Sequence, residues 1–174
     1  MTDDEPTSMT RSGGDPTEVL LRPATEADVE AIALLWHEGW PDGHEGNVPE
    51  ELSQHRDLAQ FVDRARRALA ATTVAIVDGA LAGFVTVHDD EVEQVYVDRR
   101  ARGAGVAAAL LDHAEAEQAK HYEVAWLAVV AGNERARSFY AKRGWHDAGP
   151  FTYEAAVDGG TFALTAHRYE KRVR

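Results

Sequence analysis

Glycine and arginine residues are concentrated where a predicted strand gives way to a predicted helix, in the stretch VYVDRRARGAGVAAALL, residues 95–111. Glycines at such a turn let several main-chain N–H groups converge, and the helix N-terminus adds about half a positive charge. A phosphate group is the ligand that this arrangement suits. Three arginines strengthen the prediction because the whole chain carries a net charge of −12; they are Arg99, Arg100 and Arg102.

One kind of phosphate site to consider at this turn is the dinucleotide-binding fingerprint, which Gly103, Gly105 and Ala108 match formally. That fingerprint needs its glycines directly after the strand and an acidic residue at the end of the next strand. Here five residues separate the predicted strand from Gly103, and Glu123 lies before the next strand. The spacing therefore disfavours a dinucleotide.

Another kind of site has the motif Gln/Arg-x-x-Gly-x-Gly/Ala. Arg102-x-x-Gly105-x-Ala107 matches it, and so does Arg100-x-x-Gly103-x-Gly105, two residues earlier. At these residues the sequence resembles the GNAT superfamily of acetyl-CoA-dependent N-acetyltransferases. Flanking residues typical of the family select the register that begins at Arg102; they are Val95-Tyr96-Val97 and Leu110-Leu111.

A second block strengthens the resemblance: Asn133-x-x-Ala136-x-x-Phe139-Tyr140-x-Lys142-x-Gly144-Trp145. Its order and spacing are similar to the family's Asn-to-Gly-Phe helix, with Trp145 where Phe is commoner. The resemblance covers roughly residues 19–172. It implies an α/β fold in one GNAT-like domain, with a mixed twisted sheet of about seven strands flanked by about four helices.

The resemblance also implies which residues hold acetyl-CoA. In the family, the pyrophosphate binds main-chain N–H groups of the glycine turn, and the pantetheine arm lies along the preceding strand like an added strand. The implied cofactor-binding residues are Val95, Tyr96, Val97, Arg102, Gly103, Ala104, Gly105, Val106, Ala107, Asn133 and Tyr140.

Acetyl transfer to an amine requires a base, because an ammonium group must lose a proton before it can attack. Glu91 matches a position where several family members hold that base, and Glu93 is a competitor on the same strand face. Tyr140 matches the family's usual general acid, and the main-chain N–H of Val97 would polarise the thioester carbonyl. The chain has no cysteine, which excludes an acyl-thiol intermediate and favours direct transfer in a ternary complex.

Acceptor sites in the family are built by the first two helices with their loop and by the last hairpin, here residues 36–52 and 151–165. Glycine and proline predict a loop over residues 39–49. Aromatic and acidic side chains in this region suit a cationic amine. We name Trp36, Trp40 and His44 as candidate substrate contacts, and we expect no metal site, because the histidines lack metal-ligand spacing.

The predicted elements that must position these residues follow a β-α-α-β-β-β-α-β-α-β-β order. Val29, Ile32, Ala33 and Trp36 form the apolar stripe of the first helix, with a capping pattern at residues 25–28. Strands are predicted at residues 19–23, 73–77, 81–88, 91–97, 124–130, 151–157 and 161–170, and later helices at 58–69, 106–120 and 133–142.

Composition limits the partners. Residues 1–18 carry five acidic residues and one arginine with few apolar side chains, so we predict a disordered tail there and a domain at 19–174. The remaining charge of −8 opposes nucleic-acid binding. Without a bilayer-length apolar run or an apolar export segment, we expect a soluble cytoplasmic protein with no membrane partner. The final hairpin offers an edge for a homodimer.

Taken together, the sequence predicts an N-acetyltransferase that moves an acetyl group from acetyl-CoA to a primary amine. The expected acceptor is a small molecule such as an amino acid or an amine antibiotic. Two alternatives stay open: a non-catalytic acyl-CoA-binding or sensor domain, and an acetyltransferase of protein N-termini or lysines. Retention of both Glu91 and Tyr140 favours an enzyme.

Overall fold

The computed structural model describes residues 17–174 and contains seven strands and five α-helices in that range. In chain order they are β1 (Leu20–Pro23), α1 (Val29–His44), α2 (Glu50–Ser53), α3 (Leu58–Arg67), β2 (Thr72–Val77), β3 (Ala80–His88), β4 (Glu91–Val97), α4 (Val106–Gln118), β5 (Val124–Val129), α5 (Glu134–Lys142), β6 (His146–Val157) and β7 (Gly160–Arg172). The predicted α/β class and seven-stranded sheet are confirmed, and α2 is a single turn.

All seven strands form one mixed sheet in the order β1-β2-β3-β4-β5-β7-β6. Only β4 and β5 run parallel to each other, and every other neighbouring pair is antiparallel. The single parallel pair lies at the centre of the sheet, and the chain crosses from β4 to β5 through α4. The glycine turn is therefore positioned at the end of a central strand.

Two apolar cores cover the two faces of the sheet. Leu110 and Leu111 of α4 are fully buried with Val85 and Leu127 on one face. On the other face, α1 and α3 bury Trp36 and Phe61 against Val74 and Phe84. The alternation of strand side chains between faces lets one sheet serve both cores.

A capping box precedes α1, as the sequence predicts. The Asp28 carboxylate accepts hydrogen bonds from the main-chain N–H and the hydroxyl of Thr25 and is bound by both terminal nitrogens of Arg22, at 2.7 and 2.9 Å. The hydrogen bonds from Arg22 hold the pKa of Asp28 well below its usual range. This cluster joins β1 to the start of α1.

The predicted loop at residues 39–49 is wrong in its first half, because α1 continues to His44 and includes Pro41. Gly39 and Gly43 serve close packing here: a Cβ at Gly39 would lie 3.0 Å from the Tyr96 ring, and one at Gly43 would lie 2.5 Å from the Asn133 amide nitrogen. Burial of Trp40 accompanies this packing. These contacts hold a helical turn that glycine and proline disfavour in isolation.

Other boundaries differ by a few residues. β6 begins at His146, five residues before the predicted strand, and Asn133 caps α5 without being its first helical residue. The predicted tail lies outside the described residues except for Thr17 and Glu18, which are exposed. None of the helices within residues 17–174 is long and apolar enough to cross a membrane.

Candidate active site

A gap opens between β4 and β5 at the centre of the sheet. These strands share one residue pair, Glu91 with Trp126, where the Trp126 N–H donates to the Asp90 carbonyl over 2.8 Å. By contrast, β5 pairs with β7 along its whole length. The two parallel strands therefore separate beyond Val92, and the sheet is split at this point.

The main-chain groups of β4 that face the gap follow from its pairing with β3. Glu93 has no partner on β3, so it is the extra residue of a β-bulge. Beyond the bulge, the Asp98 N–H donates to the Ala82 carbonyl, which makes Tyr96 the next residue bonded to β3. By alternation, the N–H and carbonyl groups of Val95 and Val97 point into the gap.

The glycine turn follows β4 after a short helical turn at Arg99–Ala101. Gly103 and Gly105 have φ angles of 82° and 81°, in the left-handed region that favours glycine. Gly105 caps α4, and its carbonyl accepts the first hydrogen bond of the helix, from Ala109. Three N–H groups at the start of α4 precede that bond and are available to a ligand; they belong to Val106, Ala107 and Ala108.

Replacing Gly105 with alanine is expected to strain the turn by about 1 kcal/mol, because the left-handed conformation disfavours a Cβ. A Cβ would meet no atom within 4 Å there, so the effect arises from φ alone. Gly79, in the β2–β3 turn, has φ of 76° and equally open surroundings, which makes Gly79→Ala a matched control. We expect both variants to lose similar thermal stability and only Gly105→Ala to bind acetyl-CoA about tenfold more weakly in calorimetry. Equal weakening in both would assign the effect to stability.

The arginines of the turn are paired with carboxylates. Arg99 and Arg102 both bind Asp42 of α1: Arg99 Nε lies 3.0 Å from Oδ2 and Arg102 Nη2 lies 2.6 Å from the same oxygen. Arg100 instead binds Asp98, within its own turn. The hydrogen bonds from Arg99 and Arg102 lower the pKa of Asp42 to about 2. Asp42, which no sequence motif indicated as part of this turn, thus ties α1 to it.

A cavity of about 980 Å³ extends from the glycine turn through the gap to the space beneath α1 and α3. Most of the residues that the sequence assigned to acetyl-CoA, to catalysis and to the acceptor line this one cavity. They are Trp36, Trp40, His44, Glu91, Glu93, Val95, Tyr96, Val97, Arg102, Gly103, Gly105, Val106, Ala107, Asn133 and Tyr140, while Ala104 lies on the turn beside them.

Tyr140 lies on α5 beside the gap. Its ring packs against three aromatic rings, those of Phe139, Trp145 and Tyr169, with centroids 5.2, 6.1 and 6.4 Å away. Burial raises the pKa of the Tyr140 hydroxyl, so the group keeps its proton at neutral pH. Tyr140 is thus held as a hydrogen-bond donor at the cavity wall.

Glu91 and Glu93 line the cavity on the other side of the gap. The Tyr153 hydroxyl of β6 donates to Glu91 Oε1 over 2.9 Å. Burial raises the pKa of Glu91, while this hydrogen bond partly opposes the rise. Glu93 Oε2 instead lies 3.1 Å from His88 Nε2. Two carboxylates near one cavity therefore have different surroundings.

The three candidate acceptor contacts form the wall nearest α1. Trp36 and Trp40 are both buried, and the His44 ring stacks on Trp40 at 4.7 Å. The His44 Nδ1–H donates to the Trp40 carbonyl over 2.9 Å. Burial lowers the pKa of His44, so its ring is neutral near pH 7 and is not a cation in the cavity.

Asn133 has a structural contact in addition to its place in the cavity wall. Its Oδ1 accepts a hydrogen bond from the Ala136 N–H over 3.2 Å and so caps α5. Its amide nitrogen lies against Gly43. The close approach of α1 therefore holds the amide group of Asn133 at the mouth of the gap.

Some cavity residues were missed by the sequence reasoning. Tyr153 contacts Glu91 across 62 residues of sequence. Arg64 lies on a predicted helix whose arginines read as polar surface, and Arg56 precedes that helix. The one usable signal was that Arg64 follows Phe61 by three residues, on the helix face that packs inward. As for metals, residues 17–174 contain no group of three His, Asp or Glu side chains placed to hold an ion.

The chain belongs to the acetyltransferase (GNAT) family, whose sequence profile matches residues 30–145. This region contains the gap, the glycine turn and the block from Asn133 to Trp145. No curated protein sequence gives a significant match to the chain.

Solved structures share the fold. A GCN5-related N-acetyltransferase from Rhodopseudomonas palustris is 23% identical, with a TM-score of 0.70 over 92% of this chain and 99% of that one. PaiA N-acetyltransferase from Thermoplasma acidophilum, solved with coenzyme A, is 20% identical, with a TM-score of 0.62 over 89% and 99%. YncA from Salmonella typhimurium, solved with acetyl-CoA, is 17% identical, with a TM-score of 0.61 over 91% and 95%.

Proposed function

We propose that this protein is an N-acetyltransferase that moves the acetyl group of acetyl-CoA to a primary amine within a ternary complex. The observation that carries the proposal is the gap between β4 and β5, where the main-chain groups of Val95 and Val97 are left facing a cavity beside a glycine turn. The complexes of PaiA with coenzyme A and of YncA with acetyl-CoA support the choice of cosubstrate.

The residues present fit acetyl-CoA in three ways. Main-chain groups of β4 can pair with the amides of a pantetheine arm, as an added strand would. N–H groups from Val106 to Ala108 at the start of α4 suit a pyrophosphate. The cavity of about 980 Å³ continues past both features toward α1 and α3, which leaves room for an acceptor.

Each catalytic group has a distinct task. Acetyl-CoA supplies the thioester carbonyl that the amine attacks. Glu91 accepts a proton from the acceptor ammonium group, and the N–H of Val97 hydrogen-bonds the carbonyl oxygen as its negative charge grows. Tyr140 gives its proton to the departing sulfur and regains one from the newly acetylated nitrogen. Glu93 remains the competing base, and no covalent intermediate with the protein is needed.

Acetyl-CoA is expected to stabilise the folded chain. Ligand at 100 times its Kd adds about 2.7 kcal/mol to the free energy of unfolding. For a chain of this size, that raises Tm by about 5–10 °C. Differential scanning fluorimetry with and without acetyl-CoA measures the shift, and Gly105→Ala provides a weakened control. No shift at millimolar acetyl-CoA would contradict the proposed cosubstrate.

The activity itself is tested by acetyl-CoA consumption across a panel of primary amines, with the acetylated product identified by mass spectrometry. Amino acids, aminoglycosides, polyamines and peptides cover the small-molecule and the peptide acceptors. Stabilisation by acetyl-CoA with no acetylated product in any case would favour the non-catalytic acyl-CoA-binding alternative. Product formed only from peptides would favour an acetyltransferase of protein N-termini or lysines.

A further inference from the structure

Two arginines lie at the end of the cavity away from the glycine turn. Arg64 of α3 stacks on Trp36, with its guanidinium carbon 4.3 Å from the ring centroid. Arg56, between α2 and α3, lies 5.9 Å from the Trp40 ring centroid. Both line the cavity. The end of the cavity that the sequence predicted to suit a cation therefore holds two cations of its own.

Within residues 17–174, carboxylates act on these charges only at longer range: Glu93 attracts Arg64, and Asp158 attracts Arg56. Arg56 is only 8% exposed, and one terminal nitrogen donates to the His55 carbonyl over 2.9 Å. Its buried Nε has no hydrogen-bond partner within residues 17–174. Neither Arg56 nor Arg64 forms an ion pair with a carboxylate in that range. Burial lowers the pKa of Arg56 to about 10, and repulsion from Arg64 adds to the effect.

An unpaired charge in such a place is costly for folding, because a buried cation loses hydration that only a partner can replace. Stacking on Trp36 and Trp40 stabilises the faces of the guanidinium groups, and the buried Nε of Arg56 is left without an acceptor within residues 17–174. A planar guanidinium group presents these donors in a fork that matches a carboxylate. A carboxylate is therefore the anion that Arg56 and Arg64 are shaped to bind.

Glu91 and Glu93 add carboxylates to the same cavity. Tyr153, Glu91, Glu93 and Arg64 all line this cavity, and the Tyr153 hydroxyl donates to Glu91 Oε1 over 2.9 Å. Glu91, our proposed base, must face the ammonium group of the acceptor. A molecule that binds in this volume then meets both carboxylates and guanidinium groups.

We propose that the acceptor is a small amino carboxylate, whose amine lies at Glu91 and whose carboxylate binds Arg64 and Arg56. This inference rests on the proposed N-acetyltransferase function and specifies its substrate class. An amine with no anionic group would leave the two guanidinium groups unpaired in the complex.

Matched acceptors test the inference: an amino acid, its carboxamide, the corresponding decarboxylated amine, and an amine that carries a phosphate ester in place of the carboxylate. Loss of charge-assisted hydrogen bonds predicts that kcat/KM falls about 10- to 100-fold from the amino acid to the carboxamide or amine. Comparable kcat/KM for charged and uncharged members would overturn the inference and leave the N-acetyltransferase function standing. Selective use of the phosphate ester would overturn the carboxylate assignment.

Substitutions of the two arginines test whether they cause the preference for a carboxylate. In Arg64→Gln and Arg56→Gln, KM for the amino acid should rise about 10- to 100-fold while KM for the carboxamide stays nearly unchanged, so the preference for a carboxylate collapses. Arg67→Gln is the control, because Arg67 is an exposed arginine of the same helix. The acetyl-CoA-induced Tm shift shows whether each variant is folded. A preference that survives both cavity substitutions contradicts the assigned residues, and the absence of any acetylated amine contradicts the proposed function and this inference together.

Discussion

Tyr140→Phe is expected to lower kcat by about 10²- to 10³-fold, within the range of a lost general acid. The substitution removes only the hydroxyl, because the ring packs against Phe139, Trp145 and Tyr169 and phenylalanine keeps those contacts. Without the hydroxyl, the departing thiolate receives no proton from the protein. Steady-state kinetics with saturating acetyl-CoA and acceptor measure the loss.

The prediction is specific because Tyr140→Phe should lower kcat and leave the acetyl-CoA Kd nearly unchanged. The acetyl-CoA Kd from calorimetry should change less than threefold, which is roughly 0.6 kcal/mol, since the hydroxyl acts on the leaving group. Tyr169→Phe is a matched control: its ring is 6.4 Å from that of Tyr140, and its hydroxyl accepts a hydrogen bond from Arg137 away from the cavity. An unchanged kcat in Tyr140→Phe would show that another group, or water, protonates the sulfur.

Local signals explain why the geometry of the glycine turn could be predicted from sequence. The glycines of the turn are needed wherever the chain adopts positive φ, and their spacing is visible in the residues 102–107. Val95 and Val97 were implied by the family resemblance, and they lie on the strand that the sequence predicts before the turn. The proposed cofactor contacts are main-chain atoms of the turn and of the strand before it.

Longer-range contacts explain what could not be predicted. Gly39, Pro41 and Gly43 read as a loop, but the glycines let α1 approach Tyr96 and Asn133, contacts that are distant in sequence. The β-bulge at Glu93 has no sequence signal of its own, since it is defined by the register against β3. Tertiary packing therefore overrode local propensity in α1, and pairing with β3 set the register of β4.

The two arginines of the cavity, Arg56 and Arg64, could not be placed there from the sequence for the same reason. The acidic composition and the residues near Trp40 favoured a cationic amine, and the expected acceptors included an amino acid and an amine antibiotic. Arginines on a helix usually face solvent, so Arg64 gave no sign of an anion-binding group. Folding places Arg56 and Arg64 against Trp40 and Trp36 instead. Which side of an amphipathic helix an arginine extends over is set by the packing of α3 against α1, and net charge carries no information about it.

The base is identified by the pH dependence of Glu91→Gln. Burial raises the pKa of Glu91, so the wild-type kcat/KM should fall on the acid side of a pKa above the usual glutamate value. Near neutral pH, Glu91→Gln should lower kcat/KM by about 10²- to 10³-fold. Glu93→Gln, the same change two residues away, should lower it less than fivefold, within about 1 kcal/mol. The reverse order would assign the base to Glu93.

The Tm of Glu91→Gln and its activity on amines of different basicity distinguish a lost base from a damaged site. Because burial disfavours the charged carboxylate, folding gains nothing from ionised Glu91 above its pKa, and Glu91→Gln should keep or raise Tm at pH 7. Tyr153→Phe removes the hydrogen bond that favours the Glu91 carboxylate, so the acid limb of the kcat/KM profile should move to higher pH.

An acceptor whose amine is weakly basic is already neutral at pH 7 and needs no base. Glu91→Gln should therefore acetylate it at nearly the wild-type rate, and an equal deficit with basic and weakly basic amines would mean that Glu91 positions the acceptor without taking its proton.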